Sequence, residues 1–141
     1  MSTQDNKALI RRYYDELNRK SFAAYDELVA PDVTYNGAAV GRDGMRQFSI
    51  MVRTTFPDLR VTVDEMVAEG DLVATYFTWA GTHLAELQSP ALGRVAPTNK
   101  SFRAKGMDLY RIRAGQIAEI RDSVDRLSMY QQLGVPTSPQ Q

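Results

Sequence analysis

From Gly106 to Asp125 the chain reads as two extended segments joined at Ala114-Gly115, and no other stretch constrains the fold as much. On the second segment Ala118, Ile120, Asp122 and Val124 share one face, and Ile117, Glu119, Arg121, Ser123 and Asp125 share the other. Asp122 is therefore the only carboxylate on the more apolar face. Removing a carboxylate from water raises its pKa, which suits a general acid/base near neutral pH. A plainer reading makes Asp122 a strand-end residue facing a polar partner or solvent. A two-residue turn would need a positive φ at Ala114, which its Cβ resists. The spacing favours a three-residue loop, Arg113-Ala114-Gly115, with Gly115 left-handed. In that register Ile112 pairs with Gln116 and Asp108 faces Ile120. Asp108, Tyr110, Ile120 and Asp122 then share a face, with the carboxylates diagonal and roughly 7–8 Å apart between α-carbons.

Upstream, two periods divide the chain. Ile10, Tyr13, Tyr14 and Leu17 recur at helical spacing within 5–19, and Phe22, Tyr25, Leu28 and Val29 predict a short second helix stopped by Pro31. Residues 33–40 read as a short strand. A turn at 41–44 follows, with Asp43 as N-cap of a helix whose stripe is Met45, Phe48, Val52 and Phe56, ended by Pro57. From Leu59 the period becomes two, with Val61, Val63 and Val67 alternating against polar residues and a turn at Gly70-Asp71. Residues 72–83 are apolar on both faces and predict a long central strand. The stretch 84–99 shows no period, and a connection of that length is usually a lid, a binding loop or disordered. Leu127, Tyr130 and Leu133 predict a last helix closed by Gly134 and Pro136.

At 141 residues the chain is long enough for one domain with a real core, expected over 1–136, with a disordered tail at 137–141. Seventeen basic residues balance seventeen acidic ones, which gives no electrostatic case for nucleic acid or an anionic membrane. Without cysteine there is no disulfide frame, thiolate metal site or cysteine nucleophile. The opening residues lack the apolar segment of a signal peptide, and no apolar run is long enough to span a bilayer. A soluble cytoplasmic protein is the expectation. Helices first and antiparallel strands after predict an α+β fold whose sheet curls around a hollow.

Several spaced residues form a recognisable series: Trp79, Gly81, Thr82, His83 and Glu86; Ala96, Pro97, Thr98 and Lys100; Gly106, Asp108, Tyr110, Arg111 and Ile112; Glu119, Arg121, Asp122 and Asp125. With Arg11, Tyr13, Tyr14, Glu16 and Asn18 near the start and Gln131 to Gly134 near the end, this resembles the SnoaL-like polyketide cyclases of the nuclear-transport-factor-two-like superfamily. The resemblance covers nearly the whole chain. It implies a cone-shaped, strongly curved antiparallel sheet wrapped by N-terminal helices around an apolar pocket. It also implies a homo-oligomer, dimer or tetramer, formed through the sheet. The characterised cyclases close a ring by intramolecular aldol condensation with no metal or organic cofactor, using an aspartate that matches Asp122. Arg121 matches as well. Where the cyclases carry a histidine on the preceding strand this chain has Asp108, and residues 88–92 look like an insertion.

Asp122 is thus the expected acid/base. Asp108, if it shares the face, would raise the pKa of one partner by charge repulsion, and the pair would titrate together. His83, the only histidine, lacks companions for a zinc site and has two readings: hydrogen-bond donor to a substrate oxygen, or cap of its strand. Trp79 lines the pocket with an N–H to offer or packs in the core. Tyr14, Asn36 and Tyr110 are candidate pocket residues. Three functions remain open: a cofactor-independent cyclase acting on an apolar polycarbonyl small molecule; an isomerase or hydrolase using the same carboxylate; and a non-catalytic small-molecule binder.

Overall fold

The computed structural model describes residues 2–90 and 92–136. The expected tail at 137–141 lies outside them. Helix α1 (Thr3–Asn18) is followed by a single 3-10 turn at 22–24 and the one-turn helix α2 (Tyr25–Leu28). Next come β1 (Val29–Tyr35), α3 (Gly41–Thr55), β2 (Arg60–Glu69), β3 (Leu72–Thr82), the short β4 (Leu87–Ser89) and β5 (Gly93–Val95), β6 (Ser101–Arg113), β7 (Gln116–Val124) and α4 (Arg126–Leu133). Five strands form one curved, unclosed sheet in the order β1-β7-β6-β3-β2, with α1 and α3 packed over it.

Local chemistry sets the boundaries. Ser2 caps α1: its Oγ accepts the Asp5 N–H at 3.0 Å while the Asp5 carboxylate accepts the Ser2 N–H, a reciprocal capping box. Ile10, Tyr13, Tyr14 and Leu17 form the buried stripe of this helix. At its far end the Asn18 amide donates to the Val61 carbonyl and accepts the Val61 N–H, both at 2.9 Å, which pins α1 to edge strand β2. Asp125 caps α4 by accepting the Ser128 N–H, and Gly134 ends it at φ +72°.

Four expectations are corrected. The first strand begins at Val29 rather than Val33 and pairs parallel with β7, so the sheet is mixed. Pro31 is accommodated because β1 is an edge strand, where a missing N–H breaks no second ladder. The α3 helix starts at Gly41, which places Asp43 in its first turn, paired with Arg46, rather than at the cap. The stretch 84–99 is no free loop. It holds the β4–β5 hairpin, and the Ser89 hydroxyl meets the Tyr130 hydroxyl of α4 at 3.0 Å.

The fourth correction concerns the β6–β7 hairpin. Its loop is the two-residue Ala114-Gly115, with both residues left-handed at φ +51° and +76°, and Arg113 pairs with Gln116. Continued unbroken, this register would bring Arg121 opposite Asp108 and turn Asp122 outward. Ala118 instead forms a bulge between the pairs Ile112–Ile117 and Arg111–Glu119, and the extra residue re-phases the strand. Tyr110 then pairs with Ile120, and Asp108 lies directly opposite Asp122 rather than diagonal to it.

The inner face of the sheet is built in rows. Val73, Tyr110 and Ile120 form one, Thr75, Asp108 and Asp122 the next, and Phe77, Gly106 and Val124 the third. Trp79 opposite Ala104 continues the series. Large rings on β3 face small residues on β6, which leaves a hollow between the sheet and the helices.

Candidate active site

That hollow is a cavity of about 140 Å³ walled by α1, α3 and the inner sheet face. It brings together five of the seven residues singled out from the sequence: Tyr14, Trp79, Asp108, Tyr110 and Asp122. Apolar side chains, among them Leu17, Met45, Phe48, Val52 and Phe77, complete the walls.

The polar centre lies on the Thr75–Asp108–Asp122 row. Asp108 is buried at 9 % exposure. Its Oδ2 accepts from the Tyr110 hydroxyl at 2.6 Å and lies 3.0 Å from the Tyr14 hydroxyl, which also meets Thr75 Oγ1 at 2.7 Å. Its Oδ1 has no hydrogen-bond partner among the described residues, and the Asp122 carboxyl stands on the residue directly opposite. Burial, and then the facing Asp122 carboxyl, push the Asp108 pKa up to about 9. The raised pKa favours the neutral form of Asp108, whose Oδ2 accepts from the tyrosines. Asp108 lies deeper, while Asp122 is only partly buried.

Asp122 is held from two sides. Tyr35 donates its hydroxyl to Asp122 Oδ1 at 3.1 Å, and the Asn36 amide oxygen accepts the Asp122 N–H at 2.8 Å. Asn36, left-handed at φ +48°, also donates its own N–H to the Ile120 carbonyl. Its side chain therefore fixes the backbone that carries Asp122 and does not line the cavity, contrary to the pocket role expected of it. Trp79 does line it, and its buried indole N–H has no partner among the described residues. A buried donor left unpaired by the protein is a place for a ligand acceptor.

His83 stands apart. It is wholly buried just past the end of β3, with Nδ1 accepting the Thr98 N–H at 3.2 Å and its ring 5.8 Å from that of Phe56. Burial holds its pKa below the usual imidazole value. Its backbone exchanges hydrogen bonds with Lys100 and Asn99. His83 closes off the 84–99 segment, and it does not reach the carboxyl pair. No described residue of that segment lines the cavity either.

Among the lining residues not anticipated are Tyr35 and Arg53. Tyr35 shares a strand face with the buried Val33, a period-two signal present in the sequence. Arg53 follows Met45 and Ser49 at intervals of four, so it occupies the buried face of α3 despite its charge.

A family model described as SnoaL-like polyketide cyclase matches residues 7–133. No curated protein sequence matches the chain significantly. Among solved structures, IdmH from Streptomyces antibioticus, a candidate polyketide cyclase, is 30% identical, with 92% of this chain and 99% of that one covered and a TM-score of 0.79. AclR from Streptomyces galilaeus, a candidate hydroxylase, is 25% identical over 96% of this chain and 100% of that one, at a TM-score of 0.81. TsrD from Streptomyces laurentii shares the fold at a TM-score of 0.85 and 23% identity, over 96% and 99% of the two chains.

Proposed function

The chain belongs to the SnoaL-like polyketide cyclase family, and from that premise we propose that it closes a ring in a polyketide-like polycarbonyl substrate by intramolecular aldol-type condensation, using its own carboxyls and no cofactor. The observation that carries this reading is the facing pair Asp108–Asp122 on the cavity wall. Two carboxyls whose surroundings drive them apart divide into an acid and a base. In this reading Asp122 takes a proton from a carbon flanked by carbonyls. The electron pair left behind spreads into an enolate, and the enolate carbon attacks a second carbonyl carbon of the same molecule. As that carbon–carbon bond forms, the carbonyl π pair moves to oxygen, which takes the proton back from Asp122. Neutral Asp108 and the Trp79 N–H supply donors where negative charge develops, and the Tyr14–Tyr110 pair holds Asp108 in place.

Asp122→Asn should lower turnover of a β-polycarbonyl substrate by a factor of about a thousand or more while circular dichroism stays unchanged. Wild-type turnover in that variant would remove Asp122 from the chemistry. The size of the cavity favours a second reading. About 140 Å³ holds one ring rather than several, which suits an isomerase shifting a proton within a smaller enolisable ketone by the same two carboxyls. Product analysis separates the two, since ring closure changes the carbon skeleton and isomerisation does not. We further place the protein in the cytoplasm as a homo-oligomer; among the described residues no helix is long and apolar enough to cross a membrane.

A further inference from the structure

Arg53 carries a charge that nothing nearby neutralises. It projects from the last turn of α3 into the cavity wall at 8 % exposure. Its Nε donates to the Leu17 carbonyl at 3.1 Å and its Nη1 lies 3.5 Å from the Ser49 carbonyl. Both are neutral acceptors, and among the described residues no carboxylate comes within 4.0 Å of the guanidinium. The Leu17 carbonyl already accepts the Lys20 N–H at 3.0 Å, so closing α1 does not require the arginine. Buried cations in proteins are paired, because an uncompensated one costs several kcal/mol. Desolvation accordingly lowers the pKa of Arg53. The other arginine on the cavity, Arg126, is exposed at the rim and keeps its hydration.

We propose that Arg53 is the anion-recognition residue of the cavity, and that the natural ligand carries an oxyanion, a carboxylate or an ionised enol or phenol, that pairs with its guanidinium. The proposal deepens the reading above, since it names a feature of the molecule taken by the same cavity. A planar guanidinium suits the role because it offers several fixed N–H donors to one oxyanion and cannot discharge by losing a proton. Arg53 sits on α3 and the carboxyl pair on the sheet, so an anion held at Arg53 would fix the rest of the ligand with respect to Asp122.

Single-ring probes match a cavity of this volume, and Trp79, the only tryptophan, lines it and reports occupancy by fluorescence. Benzoate is compared with methyl benzoate, and 1,3-cyclohexanedione, whose enol ionises below neutral pH, with cyclohexanone. The first pair tests a carboxylate and the second an enolate. In the wild type at least one anion should bind about tenfold or more tighter than its neutral counterpart. Arg53→Met should abolish that preference while neutral-probe affinity changes by less than about twofold, and Arg53→Lys should keep part of it. Asp122→Asn should retain the preference, so that a failure of the ring-closure chemistry is told apart from a failure of anion recognition. Equal affinities within both pairs in the wild type, or no binding of either anion at millimolar concentration, would overturn the proposal. So would an undiminished preference in Arg53→Met; should that variant not fold, the wild-type comparison and Arg53→Lys decide.

Discussion

Asp108 has a measurable signature apart from catalysis. Its pKa rises from an ordinary 3.8 to about 9 in the folded protein, so between those values the native state holds one proton more than the unfolded chain. Stability then falls with rising pH: the contribution is complete below 3.8 and is lost on passing about 9. Asp108→Asn replaces a neutral acid with a neutral amide that can still accept from Tyr14 and Tyr110. Denaturant unfolding across this window should show a flatter pH dependence in the variant, and turnover should fall far less than in Asp122→Asn. An unchanged slope would mean that Asp108 is not the group taking up the proton. At this scale the sequence was readable in part. Period-two alternation put Asp108 with Tyr110 and Asp122 with Ile120, because a strand face is legible from side-chain type. It was an assumed three-residue loop that joined the two faces, where the structure uses a two-residue loop and a bulge. Alternation could not show that Asn36 turns its amide to the Asp122 backbone or that His83 serves the 84–99 segment, since both depend on contacts across the fold. Arg53 was passed over because a charged residue on a helix is ordinarily solvated.

Among the elements, the hairpin shows why strand existence is easier to read than register. Ala114 in the left-handed region is unfavourable by about 1 kcal/mol, and local chemistry alone argues for the longer loop. Tertiary packing decides otherwise, and the Ala118 bulge restores the facing that a two-residue turn would have inverted. Gly106 is a second such point. A Cβ there would lie 2.6 Å from Phe77 Cζ and 2.7 Å from Val124 Cγ1, so the Phe77 ring occupies space that only glycine leaves. Gly106→Ala should cost about 1–3 kcal/mol and push Phe77 toward the cavity. Denaturation midpoints check the first effect, and weaker binding of the single-ring probes checks the second. A variant as stable as the wild type would show that the row can relax.

For the molecule as a whole, the outer sheet face is the surface left to account for. Met107 is 56 % exposed and pairs with Tyr76, and Val67 on β2 lies on the same side. Around them lie charged residues, including Lys105 over the Tyr76 ring and the Arg111–Glu119–Arg121 chain of ion pairs. An apolar centre with a polar rim is the anatomy of an interface. Met107→Glu should shift the proposed oligomer toward monomer in light scattering and leave probe binding intact, because its side chain points away from the cavity. An unchanged mass would direct the search for an interface elsewhere.

The parallel seam between β1 and β7 bears on how such a molecule is made. Val29 meets Ile117 and Tyr35 meets Ile120, so the first strand waits for the last described one before it is paired. On the ribosome the helices and the β2–β3 pair would emerge without the strand that carries Asp122. Neither acid partner would face the other until β7 has emerged. Assembly should therefore be late and slow, as for other topologies dominated by distant pairings. A chain halted short of Gln116 would be a nascent polypeptide with an apolar flank exposed and no chemistry to perform.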